Sequence, residues 1–486
     1  MFIKSSLRRD TFFLTFTKLV TMVINMLCVM LLSRFRTLEE YGTYSQLILV
    51  TTLMSTLMSV GLPNSITYFL KKTEDSKDKK KFVSHYYIIT LVISIFLGLA
   101  VFFFRGFIGR YYNNSAVTNY GFFLLLYPFT IITAESLNYL LVSYKKTALL
   151  VVYQLIRSVA LILDVIVINV VDGSFFDYMM VLIIIEILYS IMVYVTAFVI
   201  VKGFSFKLSI PYLWSILKFS LPIGLAYALG TITSYLDKIM ISHWFSTEDY
   251  AVYANAAKEL PIAFIAFATA GALMPRIVQM LTKKENSSAY SIWKSTLEFN
   301  FIILSLMVFG LICFSREAIV FLYSDKYLSG RVVFCIYTGI VLLRSAQFGM
   351  LLIAKGKTKK IFYVSVIVLA LNVILNFVFI KLFGFVGPAI ATAIVSILEI
   401  VLILGFTKRE FNVCIKELIP FKTIISVVIA SFSFALVFSK FKDCLPLDRY
   451  IGSVFESVIL GLVWALIYLF VFRKKLIECW KKMGVD

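Results

Sequence analysis

Apolar runs of about 20 residues recur along this chain from one end to the other, each long enough to cross roughly 30 Å of hydrocarbon as a helix. Inside lipid every backbone N–H and C=O must find its partner within the protein, so long unbroken runs predict helices. A transmembrane barrel would need short segments alternating apolar and polar residues, and no such alternation occurs. With 60% of the 486 residues hydrophobic and 15% charged, a soluble globule is excluded. The spacing predicts an all-α integral membrane protein with fourteen transmembrane helices. The spans that matter most below are 12–32, 43–69, 120–142, 214–242, 250–275, 332–354 and 386–406. The first shows no small-residue cleavage site leading into a soluble domain and reads as an uncleaved anchor.

Net charge is +20, from 47 Lys and Arg against 27 Asp and Glu, a balance that in a soluble chain would suggest nucleic acid. Its placement argues otherwise. The basic residues crowd into alternate loops, on the side that holds both termini, and this bias predicts cytoplasmic termini. The densest run, from Lys71 to Lys81, reads as a topological anchor near anionic headgroups. Nucleic acid is not an expected partner.

The six Cys are scattered without a Cys-x-x-Cys spacing, and the only histidines are His85 and His243. No disulfide framework and no metal site is expected. The chain has no G-x-x-x-x-G-K-[ST] phosphate loop for an ATP-driven pump and no large outer loop for a glycosyl polymerase. No Ser/His/Asp set appears either, so neither an enzyme nor a cofactor is expected. Function must be carried by helix interiors.

One stretch repeats. Ser33-Arg34-Phe35-Arg36-Thr37-Leu38-Glu39-Glu40-Tyr41-Gly42-Thr43-Tyr44 is echoed by Ser242-His243-Trp244-Phe245-Ser246-Thr247-Glu248-Asp249-Tyr250-Ala251-Val252-Tyr253. A weaker echo links Ile184-Ile185-Glu186-Ile187-Leu188 to Ile397-Leu398-Glu399-Ile400-Val401. An even number of spans separates the copies, so they share one orientation, as parallel repeats do. The expected organisation is a six-helix lobe over residues 1–210, a second over 211–410, and an added transmembrane hairpin with a tail over 411–486.

Ionisable groups at membrane depth are costly and mark functional sites by default. Lys18 either snorkels to the interface or faces a wet cleft with Thr15, Thr17, Thr21 and Asn25. Lys258 follows the small, polar stretch Tyr253–Ala257 and shares a helical face with Asn255, which favours a lumenal position. Arg344 lies about fourteen residues into its span, near the midplane, and either pairs with Glu399 or binds an anion. Glu135, Asp237, Glu259 and Glu399 are candidates for ion coupling or charge balance, with local pairing to Lys238 favoured for Asp237. Arg157 and Asp164 share a face of the fifth span, where each either pairs across helices or serves a site. Among the prolines, Pro63 and Pro275 close spans, while Pro222 and Pro261 sit inside them. Pro222, with Gly224 after it, is either a fixed kink or a hinge. Basic groups at three depths plus 16% aromatic residues suit a ligand with a diphosphate head, sugars and a lipid tail.

The 12–69 hairpin, ending in Gly61-Leu62-Pro63, resembles the opening hairpin of bacterial polysaccharide flippases. So does Phe219-Ser220-Leu221-Pro222-Ile223-Gly224 with Tyr235-Leu236-Asp237-Lys238. Phe383-Gly384-Phe385-Val386-Gly387-Pro388-Ala389 is similar to that family's glycine-rich turn. The family belongs to the multidrug/oligosaccharidyl-lipid/polysaccharide exporter superfamily, and the likeness runs through the whole chain. It implies two lobes forming a V that opens alternately to each face of a bacterial inner membrane. It implies transport of undecaprenyl-diphosphate-linked oligosaccharide for O-antigen, capsule or a similar polymer, through a cationic cavity consistent with Lys18, Lys258 and Arg344. Expected partners are that lipid-linked oligosaccharide, membrane lipid, and the polysaccharide polymerase and chain-length proteins. Cation-coupled multidrug antiport is the alternative, though the first span carries Lys18 where such exporters carry an acid. Lipid II flippases are a further alternative, with a denser set of cavity arginines than this chain offers.

Overall fold

The computed structural model describes residues 2–59, 61–205, 207–258, 260–444 and 452–484, and among these there are helices and turns but no strand. In chain order the helices are α1 Phe2–Phe35, α2 Leu38–Ser59, α3 Leu62–Lys72, α4 Ser76–Phe103, α5 Arg105–Tyr111, α6 Gly121–Ser143, α7 Thr147–Val170, α8 Phe175–Ile200, α9 Ile210–Trp244 and α10 Thr247–Ala256. They continue as α11 Phe264–Thr282, α12 Asn286–Cys313, α13 Ser315–Leu322, α14 Arg331–Leu343, α15 Met350–Ala354, α16 Thr358–Phe383, α17 Gly387–Phe411, α18 Ile415–Leu418, α19 Phe421–Cys444 and α20 Ser453–Met483.

Thirteen helical segments among the described residues are long and apolar enough to cross a membrane, where fourteen are expected from the sequence. One of the thirteen, Thr358–Phe411, holds both α16 and α17, parted only by the 3-10 turn Gly384–Val386. A turn that short leaves no polar stretch to mark two spans.

The chain divides into two compact units, Met1–Ala251 and Val252–Asp486. In the first, Leu62, Ile66, Phe82, Tyr86, Leu137, Leu141, Val193 and Ile216 form a buried core drawn from α3, α4, α6, α8 and α9. α9 packs along α2 and α3 and so belongs to this unit by contact. The division expected near residue 210 concerns descent of the repeats, and contact need not follow it.

The repeated corners are capping devices. At the start of α2, Thr37 N–H donates to Glu40 Oε2 at 2.9 Å, and Glu40 N–H donates to Thr37 Oγ1 at 3.2 Å. At the start of α10, Asp249 N–H donates to Ser246 Oγ at 3.0 Å, and that hydroxyl donates to Asp249 Oδ2 at 2.7 Å. Both satisfy orphan N–H groups at a helix start, and the acidic residues complement its positive end. The two corners also meet. A Cβ on Gly42 would lie 2.2 Å from Thr247 O, so only glycine lets the backbones approach this closely. Gln46 Nε2 donates to Ser242 Oγ at 2.9 Å, and Asn114 Nδ2 donates to Gln46 Oε1 at 2.7 Å.

In the second unit α12 is the central element. Tyr468 of α20 donates its hydroxyl to Ile302 O at 3.1 Å, and Trp464 is buried beside Phe301 and Val427. The C-terminal hairpin is therefore part of this unit's core. Three prolines stand where the sequence reading does not put them. Pro63 opens α3, where a missing N–H costs nothing. Pro275 is internal to α11, and Pro261 lies in an interruption between helices.

Candidate functional site at two interrupted helices

Two membrane segments of the second unit break. α10 stops at Ala256 and the chain re-enters helix only through the 3-10 turn Pro261–Ala263. The cause is local. Leu260 precedes a proline and is extended, with φ −75° and ψ 152°, since the proline ring crowds it out of helical space. Lys258 therefore does not share a helical face with Asn255, as its spacing suggests. It is an exposed side chain in the break, and its N–H donates to Asn255 O at 3.2 Å, while Asn255 is buried.

The second break follows α14, which ends at Leu343. Arg344 and Ser345 close a tight turn, donating to Val341 O at 3.1 Å and Leu342 O at 3.2 Å, and Gln347 takes φ +45° before α15 begins. Arg344 thus sits at a helix end, exposed, and not deep within a continuous helix. Carbonyls freed by the break find donors on α12. Asn300 Nδ2 donates to Ser345 O at 2.8 Å and Trp293 Nε1 donates to Ala346 O at 3.0 Å. Asn300 also joins Thr269 of α11, donating at 2.8 Å and accepting at 3.1 Å. Ile262, Ala263 and Ala266 pack with Leu304, Val308, Val341 and Leu342, so residues flanking both breaks share one apolar cluster. Irregular backbone at membrane depth is tolerated where protein or a water-filled cavity satisfies it. Here α12 supplies the protein side, and a cation stands at each break. Glu399, half-buried on α17, feels the opposing charge of Arg344.

The remaining candidates are dispersed. Lys18 is exposed on α1 beside buried Thr17, and its carbonyl accepts from Thr21 Oγ1 at 3.0 Å. Glu135 and Asn138 are exposed on one face of α6, with Gln154 Nε2 donating to Asn138 Oδ1 at 2.7 Å. Asp237 is buried on α9, with Lys238 Nζ 3.6 Å from its Oδ2. Glu259 lies outside the described residues. Pro222 is internal to α9, and the Gly224 backbone is so close to Gly61 that a Cβ there would be 2.6 Å from Gly224 N. Arg157 makes a two-pronged pair with Glu186, Nη2 to Oε1 at 2.6 Å and Nε to Oε2 at 2.9 Å. Both glutamates of the weaker repeat, Glu186 and Glu399, thus face an arginine.

Sequence reasoning misses the two breaks and the role of Asn300. The signals are present: Leu260-Pro261 marks the first break, and Asn300 is a lone amide between Phe299 and Phe301. For the second break no proline or glycine lies between Leu343 and Gly349, and the sequence carries no clear sign.

A bundle with this many long apolar helices defines a multi-pass membrane protein. The family model described as "Polysaccharide biosynthesis protein" matches residues 7–281, more than half of the chain, and the chain belongs to that family. Over 168 residues it is 26% identical to "Probable low-salt glycan biosynthesis flippase Agl15" of Haloferax volcanii. That match spans 34% of this chain and 36% of the relative, so little more than a third of the relative's length is covered. Among solved structures the fold is similar to a lipid II flippase MurJ in an inward closed conformation, with TM-score 0.78, 17% identity and coverage of 95% of this chain and 99% of that one. It is also similar to an inward-facing multidrug resistance MATE family transporter, with TM-score 0.65, 13% identity and coverage of 81% and 94%.

Proposed function

We propose that this protein is a flippase that carries lipid-linked oligosaccharide across a bacterial inner membrane, from the cytoplasmic to the outer leaflet, by alternating access. The observation that carries this reading is the pair of interrupted helices in the second unit, each with an exposed cation, Lys258 or Arg344. Cations within apolar segments are costly, and they stand almost always toward the bundle interior or a water-filled cavity, where they mark substrate or ion pathways. A diphosphate linkage is an anion, and its charge-assisted hydrogen bonds to Lys and Arg are about twice as strong as neutral ones. Lys18 supplies a further cation on α1. The lipid is undecaprenyl diphosphate in this reading, and the polymer is O-antigen, capsule or exopolysaccharide. Family membership and the likeness to a glycan biosynthesis flippase support the substrate class.

The test is complementation of a strain that lacks its own flippase, read as surface glycan. Wild type restores the glycan, and Lys258→Glu and Arg344→Glu abolish it while membrane protein levels stay normal. Export that survives both charge reversals overturns the anion-site assignment.

A further inference from the structure

A second polar feature lies on α3. Asn64, Thr67, Tyr68, Lys71 and Lys72 follow the i, i+3, i+4, i+7, i+8 spacing and line one shallow, widely open surface groove of about 520 Å³. The opposite face of the helix, Leu62, Ile66 and Leu70, is buried in the core of the first unit. Tyr68 is 46% exposed and stacked on Phe219 of α9, with ring centroids 4.2 Å apart and planes 18° from parallel. Phe219 in turn meets Phe69 edge-on at 5.7 Å. One face of the Tyr68 ring is therefore held flat against Phe219, Phe69 meets the ring edge-on at 5.2 Å, and Lys72 Nζ stands over the ring 6.0 Å from its centroid.

An anchoring role for the basic run needs lysines alone. It does not need an aromatic platform, an amide and a hydroxyl aligned on the same stripe. A flat ring stacks on the apolar face of a sugar, Asn64 and Thr67 offer hydrogen bonds to sugar hydroxyls, and Lys71 and Lys72 offer charge to phosphate. Tyr68 and Lys72 are one helical turn apart, a separation that a sugar ring and its anomeric diphosphate can bridge. We propose that this groove is a loading site for the sugar-diphosphate head group of the lipid-linked glycan, on the side of the membrane that carries the basic loop. This rests on the flippase reading above and adds a recognition element that the interrupted helices do not supply.

The test uses the full chain in nanodiscs of phosphatidylcholine. Binding is measured for lipid-linked oligosaccharide purified from the cell of origin, for farnesyl diphosphate, and for phosphatidylglycerol added to the disc. Tyr68→Ala is expected to weaken oligosaccharide binding about fivefold and leave farnesyl diphosphate unchanged, while Tyr68→Phe behaves as wild type. Lys71→Gln/Lys72→Gln is expected to weaken both ligands about tenfold. Lys77→Gln/Lys79→Gln, which removes the same charge outside the groove, changes neither. Wild-type affinity in the Tyr68→Ala and Lys71→Gln/Lys72→Gln proteins overturns the groove and leaves the flippase reading intact. Equal loss in both lysine pairs, or competition by phosphatidylglycerol alone, also overturns it, because either marks general attraction to negative headgroups. A wild-type protein that binds no lipid-linked oligosaccharide overturns the flippase reading and the loading site with it.

Discussion

Arg157 and Glu186 show what keeps a charge inside hydrocarbon. The guanidinium meets both carboxylate oxygens in the fork geometry that suits arginine, and Glu186 is 2% exposed. Removing Arg157 leaves a buried carboxylate unmatched, and removing Glu186 leaves a half-buried guanidinium unmatched, and either costs more than the pair itself contributes. Glu186→Gln is expected to lower stability by about 2 kcal/mol, while Arg157→Met/Glu186→Leu recovers most of that loss. Thermal unfolding in detergent measures both. Asn300 carries a comparable burden, since it links Thr269 to the Ser345 carbonyl. Asn300→Ala leaves that carbonyl short of a donor and is expected to cost about 1–3 kcal/mol in the same assay. The sequence exposes Arg157 as an anomaly but not its partner, which lies on the next helix at a register only packing sets.

Among the elements, the repeated corners carry more structural work than their sequence suggests. Thr37-x-x-Glu40 and Ser246-x-x-Asp249 read as a duplication, and each also begins a helix by capping it. Thr37→Ala and Ser246→Ala should each cost about 1 kcal/mol, seen as a lowered unfolding temperature. A larger effect belongs to the junction of α2 and α3. Gly61 has φ +67°, and a Cβ there would stand 2.6 Å from Gly224 N. Gly61→Ala meets both the backbone penalty and a clash with main chain that no rotamer relieves, so a loss of at least about 2 kcal/mol is expected. Size-exclusion profiles of the purified protein should show the loss as aggregation. The motif Gly61-Leu62-Pro63 is visible in the sequence, but the partner that makes the glycine necessary is far along the chain. Gly224, which in the sequence follows a proline read as either a fixed kink or a hinge, is that partner.

For the molecule as a whole, the C-terminal hairpin is integral to its unit. Trp464 and Tyr468 of α20 lie in one cluster with Phe301, Ile302 and Val427. A chain ending at Leu418 is expected to lose the second unit's stability, and Trp464→Ala to cost about 3 kcal/mol, chiefly through the cavity it leaves. Fluorescence-detected size exclusion of membrane extracts checks both. A hairpin that could be removed without loss of monodisperse protein would contradict this packing.

The sequence by itself determines that this chain is helical and lies in a membrane, because lipid forbids unpaired backbone and the apolar runs are long enough to span it. It also carries the repeat and the residues that do not belong in hydrocarbon, since each of these is a local property. Only the tertiary structure decides where helices break, as at Arg344, and which distant groups take up the freed carbonyls. It alone turns Tyr68 from one aromatic among many into a ring held flat by Phe219. Such facts depend on contacts between segments far apart in the chain, and period and composition do not encode them.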